Sequence, residues 1–137
     1  MREQSIRLDL LAWFRLSRFY NKSIRLSNQH LKEWNMTAAQ FDVLVQIGLN
    51  NKITQQELSE KLFVTKGNIT HLIQKMEKAD LVQREQEWKT KYLSLTLSGE
   101  DLFKEVVPAQ ESFQAEQFKK LTIEEKKQLV ALLKKLK

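Results

Sequence analysis

Apolar residues recur at helical spacing through most of this chain and at strand spacing in one short stretch past its middle. Residues 5–34 run thirty positions without a breaker and predict one long first helix. After Thr37, Phe41, Leu44, Val45 and Gly48 fall at helical spacing, and after Thr54 so do Leu58 and Leu62. After Thr65, Ile69, Leu72, Ile73 and Met76 give the i, i+3, i+4, i+7 stripe of a helix buried on one side. From residue 92 to 97 the period drops to two, with Leu93, Leu95 and Leu97 on one side and Tyr92, Ser94 and Thr96 on the other. With residues 81–85 and a turn near 86–90, that alternation predicts a hairpin. A fifth helix is expected from about residues 96–99, carrying Leu102, Val106, Ala109 and Phe113 on one face. Pro108 inside it should kink it or mark a boundary. A last helix follows Thr122 and shows Leu129, Leu132, Leu133 and Leu136.

Four threonines mark helix starts by the same chemistry. Thr37 precedes Gln40 by three residues, Thr54 precedes Glu57, and Thr122 precedes Glu125. Each pair can form a capping box, in which hydroxyl and carboxylate or amide satisfy backbone N–H groups reciprocally. Thr65 with Asn68 is a weaker version. Hydrophobic staples accompany three of them: Met36 with Phe41, Ile53 with Leu58, and Val64 with Ile69.

The resulting order is helix, tight turn, second helix, then a two-stranded ribbon. This is a mainly α chain with a small antiparallel β-wing, the layout of a winged helix-turn-helix, which sets one helix in the major groove of DNA. Residues 37–97 form the winged-helix lobe, and residues 1–36 and 98–137 supply N- and C-terminal dimerisation helices around it. The first helix is too long for so small a lobe to cover, and a core of this size is marginal alone. With no linker or repeat, residues 1–137 read as one unit.

Composition narrows the choice. The 137 residues hold 3 Gly and 1 Pro, as a mostly helical chain should, and no Cys, which excludes disulfides, zinc fingers and thiol switches. Two distant histidines, His30 and His71, argue against a zinc site, and no cofactor is called for. Neither a glycine-rich phosphate loop nor a catalytic constellation is evident, so an enzyme is not expected. The net charge of +6 is uneven: +4 over residues 1–36 and +3 over 61–91, against −2 over 37–60 and +1 over 92–137. Such a balance suits a polyanion such as double-stranded DNA. No apolar run is long enough for a membrane span and no signal segment opens the chain, so a soluble cytoplasmic protein is expected.

Opposite its apolar stripe the fourth helix carries Gly67, His71, Gln74 and Lys78, flanked by Lys66, Asn68, Thr70 and Lys75. Amide, hydroxyl and basic groups are those that bond base edges and phosphates, and a helix N-terminus attracts phosphate. The alternative is an ordinary solvated face. The ribbon adds Arg84, Lys89 and Lys91, suited to a minor groove. Trp88 stands at its tip, where a packing role is expected, against a DNA sugar, a partner subunit or the wing itself.

The stretch VTKGNITHLIQKMEKADLVQRE, followed by LSLTLSG, resembles the MarR family of winged-helix transcriptional regulators, as do TAAQFDVLVQI and TQQELSEKL before it. The resemblance covers essentially the whole chain and is strongest over residues 37–99. It implies a homodimer with interlocked terminal helices on a pseudo-palindromic operator, usually repressing, often relieved by a small aromatic anion. Thr37, Thr54 and Gln55, with Thr65, Lys66, Gly67, Asn68, Thr70, His71, Gln74 and Lys75 and the wing's Arg84, Lys89 and Lys91, are the DNA-contact candidates. His71 stands where many members have Arg, and Glu87, Trp88 and Lys89 stand where the family has an Asp-Arg-Arg run. For an effector, Trp13, Arg15, Arg18, His30 and Trp34 are candidates in a pocket holding a carboxylate. The competing reading makes the aromatics dimer core and the cations a solvated or phosphate-facing stripe. A winged helix that docks a protein instead of DNA and a non-specific architectural DNA binder are the remaining alternatives.

Overall fold

The computed structural model of the chain describes residues 2–62 and 66–137, with backbone only at Lys66 and Gly67. The expectations for Thr65 and for the Val64 staple lie outside the described residues. Helix α1 spans Arg2–Leu31 and closes in a 3-10 turn over Lys32–Trp34. Helices α2 (Ala38–Asn50), α3 (Gln55–Leu62) and α4 (Lys66–Lys78) follow, then strands β1 (Val82–Glu87) and β2 (Thr90–Leu95), and helices α5 (Leu97–Glu116) and α6 (Ile123–Lys135).

The capping boxes form where the sequence placed them. Gln40 N donates to Thr37 Oγ1 at 3.2 Å while Thr37 N donates to Gln40 Oε1 at 3.0 Å. Thr122 and Glu125 repeat the exchange at 3.2 and 2.9 Å. Each cap contributes about 1 kcal/mol and fixes a boundary. Asn28 adds a further acceptor, taking Ala38 N at 2.7 Å and pinning the start of α2 to α1.

Helix α2 is the centre of the lobe and touches α1, α3, α4, α5 and β2. For that reason its fully buried residues are Val43, Leu44 and Ile47, a face turned from the expected stripe of Phe41, Leu44, Val45 and Gly48, of which Phe41, Val45 and Gly48 are half-buried beside it. Leu58 of α3, Ile69, Ile73 and Met76 of α4, and Val82 and Leu93 of the ribbon close over it, with Leu31, Met36, Ile53 and Val106. Strands β1 and β2 pair antiparallel from Val82↔Leu95 to Glu87↔Thr90, and Ile53 bridges to Leu93.

One expectation is corrected and two are narrowed. The strand stops at Leu95, because Thr96 Oγ1 accepts from Gly99 N at 3.0 Å and starts α5; Leu97 is a first-turn helical residue, 81% exposed. Of the kink or boundary expected at Pro108, the boundary is ruled out, since α5 runs on to Glu116. Val106 and Gln110 are buried on either side of it, so packing on both sides of the proline outweighs the missing N–H bond. Trp88, finally, does not pack against the wing: it is 96% exposed, at φ 57°. That left-handed backbone costs an ordinary residue about 1–2 kcal/mol.

Helix α1 lies on α5 through a polar seam that the apolar pattern does not announce. Ser27 Oγ donates to Gln114 Oε1 at 3.2 Å, and Gln114 Nε2 donates to Ser23 Oγ at 3.1 Å. His30 Nδ1 lies 2.8 Å from Gln110 Oε1, its ring stacked on Phe113 at 4.3 Å. Satisfied buried polar groups of this kind fix the register of two helices.

Candidate nucleic-acid interface

The two helices of the motif are set by local chemistry. Thr54 caps α3 by accepting from Glu57 N at 3.1 Å, and Glu57 Oε1 in return accepts from Thr54 N at 3.2 Å and from the threonine hydroxyl at 2.8 Å. Those hydrogen bonds hold the Glu57 carboxyl below its ordinary value near 4.5. Its contribution is therefore complete above that value and fades as acid protonates the folded state. The short α3 places α4 across it, with Ile69, Ile73 and Met76 turned inward.

The opposite side of α4 is open. Asn68, His71, Gln74, Lys75 and Lys78 are all exposed, one polar and cationic face along three turns. Amide, imidazole and ammonium groups on one helical face can hydrogen-bond base edges and phosphates at once. The side chains of Lys66 and Gly67, and Thr65 altogether, lie outside the described residues. Thr70, half-buried, accepts from Gln55 Nε2 at 2.7 Å.

That contact begins a chain of bonds that sequence reading missed. Gln55 Oε1 accepts from Arg84 Nη1 at 3.4 Å, and Arg84 Nε reaches Glu77 Oε1 at 3.2 Å. Helix α3, the recognition-type helix α4 and the wing are thus cross-linked by Gln55, Thr70, Glu77 and Arg84. Arg84 and Gln55, expected to meet DNA, are engaged as internal braces. Thr37 and Thr54 likewise spend their hydroxyls on caps. No periodicity marks such links, since their partners sit 7 to 29 residues apart.

The wing is braced at its far end as well. Lys52 Nζ meets Glu87 Oε1 at 2.6 Å and lies over the Tyr92 ring at 4.8 Å. The Glu87 hydrogen bond holds the Lys52 ammonium above its usual value. An exposed pair of this kind contributes little stability but sets geometry. Lys89 and Lys91, both exposed, form no ion pair among the described residues.

The five residues expected at an effector site do not converge. Trp13, Arg15 and Arg18 stand exposed along the middle of α1. His30 and Trp34 belong to the α1–α5 seam, where Trp34 Nε1 donates to Glu105 at 3.0 Å. A cavity of about 540 Å³ opens instead between α1 and the start of α2, lined by Tyr20, Ile24, Asn28, Lys32, Met36, Thr37, Ala38, Ala39 and Asp42. Desolvation there raises the Asp42 carboxyl above its ordinary value. Among the described residues no cluster could hold a metal ion, and no helix is long and apolar enough to cross a membrane.

A family model described as MarR family matches residues 34–87, the span from the end of α1 through β1. An HTH-type transcriptional regulator of Bacillus cereus is 43% identical over 99% of this chain and 92% of its own length. The oxidised form of MarR from E. coli superposes with a TM-score of 0.78 at 30% identity, over 88% of this chain and 90% of that one. A mutant of the same E. coli protein, solved in complex with operator DNA, superposes at 0.79 with 29% identity, over 93% and 95%.

Proposed function

Because the chain belongs to the MarR family of HTH-type transcriptional regulators, DNA-binding proteins and not enzymes, we propose that it is a cytoplasmic homodimeric repressor of a pseudo-palindromic operator. The observation that carries the reading is the division of α4 into a sealed apolar side and an open side of Asn68, His71, Gln74, Lys75 and Lys78. A helix presenting that face, locked to its neighbours through Gln55 and Arg84, is pre-organised for a groove and loses little freedom on binding. E. coli MarR has been seen in complex with operator DNA, and that supports assigning the same kind of partner here.

A second copy is called for by the terminal helices. Ile6, Leu10, Trp13 and Tyr20 of α1 and Leu132 and Leu133 of α6 stay exposed in one subunit. Residues 10–14 of α1 (Leu-Leu-Ala-Trp-Phe) are apolar on every side for more than a turn, the pattern of a segment meant to be enclosed. About half of each side chain is still exposed, so burying the six is worth roughly 1 kcal/mol each, about 6 kcal/mol per subunit before the cost of association. The aromatics of α1 therefore serve the dimer core. Relief by a small aromatic anion uses, in this reading, the cavity beside Tyr20 and Lys32; Arg15 and Arg18 lie outside it.

Substitutions on α4 separate contact types. Lys75→Ala should weaken binding to selected and random duplexes alike and lower the slope of log K against log[salt] by about one. Asn68→Ala should cost about 1–3 kcal/mol at a single base position and spare the slope. Fluorescence anisotropy on a duplex selected from a random pool reads both. Unchanged affinity in both variants would remove α4 from the interface and leave a protein-docking winged helix as the better reading.

A further inference from the structure

Once core, caps, braces and the open face of α4 are accounted for, Trp88 is the residue that folding does not explain. Its side chain is 96% exposed, and its backbone holds φ 57°, where glycine or asparagine would sit with less strain. The backbone that carries the indole is nevertheless held firmly. All six ladder pairs of the ribbon form, and Gln86 Nε2 donates to the Trp88 carbonyl oxygen at 3.1 Å. Lys52 fixes Glu87 just before it, and Arg84 ties the root of the ribbon to Glu77 of α4. The largest apolar side chain in the wing thus stands at the end of a stiff arm attached to the helix with the open polar face.

The charges around it point to what it meets. Lys52 neutralises Glu87, whereas Lys89 and Lys91 beside the tip make no ion pair among the described residues. A flat apolar plate beside two cations that lack ion-pair partners matches a surface with apolar walls and anionic rims. The minor groove of duplex DNA is built that way, with deoxyribose walls and phosphate edges. Six strand residues reach roughly 20 Å. Half a helical turn, the offset between a major groove and its adjacent minor groove, is about 17 Å.

We propose that Trp88 is a DNA contact in its own right: with α4 in the major groove, its indole lies edge-on against the deoxyribose wall of the neighbouring minor groove, while Lys89 and Lys91 meet the flanking phosphates. The inference rests on the DNA-binding reading above and adds to it a residue that supplies affinity without charge. Cations release counterions and steepen the salt dependence; an indole on a sugar releases none. Trp88 is then a salt-independent anchor beside salt-dependent ones.

The test uses the full chain labelled with 5-fluorotryptophan, Trp88→Phe to assign its signal among the three tryptophans, and a 40-base-pair duplex selected from a random pool. Adding duplex should shift the Trp88 fluorine resonance and reduce its contact with solvent. Trp88→Ala should bind about tenfold more weakly with an unchanged salt slope, whereas Lys89→Ala should lower that slope by about one. Trp88 is so exposed that its replacement leaves the fold intact, which circular dichroism checks. If the wild type binds but Trp88→Ala matches it, or the resonance does not move, or the loss comes with a shallower slope, this inference is overturned while the DNA reading stands. If the wild type binds no duplex at all, the DNA reading itself has failed.

Discussion

Trp13→Asp should convert the protein into a monomer and weaken its binding to a selected duplex by roughly 10² to 10⁴-fold, the avidity a second linked half-site supplies. Trp13 is 63% exposed in a single subunit, so the winged-helix core of Leu44, Ile47, Ile69 and Ile73 does not depend on it. In a dimer it lies within an apolar face that continues through Leu10 and Tyr20. A carboxylate there must either stay hydrated and part the subunits or be buried without a partner, which costs several kcal/mol. Sedimentation velocity reports the mass and anisotropy the affinity, while far-ultraviolet circular dichroism shows that the lobe still folds. Leu133→Asp in α6 should act in the same direction. A Trp13→Asp protein that remained dimeric and bound DNA normally would mean that the subunits meet elsewhere.

Gly99→Ala should destabilise the fold by about 3 kcal/mol, at the upper end of what an overpacked methyl costs. A β-carbon at Gly99 would lie 2.1 Å from the Leu81 carbonyl oxygen and 3.0 Å from its carbon. That carbonyl cannot withdraw easily, because it accepts the Thr96 amide at 3.1 Å where α5 starts. The contact joins the first turn of α5 to the root of the wing, so relieving it moves one or the other. Thermal denaturation should show the midpoint lowered by roughly 10 °C. Gly48→Ala is the instructive comparison: its β-carbon would meet the Phe103 ring at 2.5 Å, a side chain that can turn aside, and the loss should be smaller. Equal effects at the two sites would show that backbone proximity at Gly99 is not what limits the position.

What the sequence made legible was chemistry carried by neighbours in the chain. Thr37 with Gln40, Thr54 with Glu57 and Thr122 with Glu125 each lie three residues apart, and their capping boxes set the starts of α2, α3 and α6. The apolar stripe of α4 needed only its own period, and the face left over was the open one. Misreadings arose where a local pattern continued past a structural change. Leu97 keeps the alternation of Leu93 and Leu95, yet Thr96 caps a helix there, so one residue carried on a rhythm its backbone had abandoned.

Long-range partners were invisible for a different reason. Arg84 reads as a cation available to phosphate until Glu77 and Gln55 are brought beside it. His30 and Trp34 read as aromatic lining for a pocket until α5 delivers Gln110, Phe113 and Glu105. In each case the residue type was noticed and its partner lay elsewhere in the chain. Trp88 shows the reverse: an indole is expected to pack, and only the folded hairpin leaves it without cover.

Hydroxyl-radical footprinting of the full-length protein on a selected duplex tests the central claim most directly. Two copies of α4 presented on one side of a dimer should protect the sugar-phosphate backbone of two half-sites centred about 10–10.5 base pairs, or a multiple of that, apart and related by a dyad. Further protection should fall in the minor grooves where the wings lie. A single protected patch, or uniform weak protection that is the same on scrambled DNA, would contradict the account.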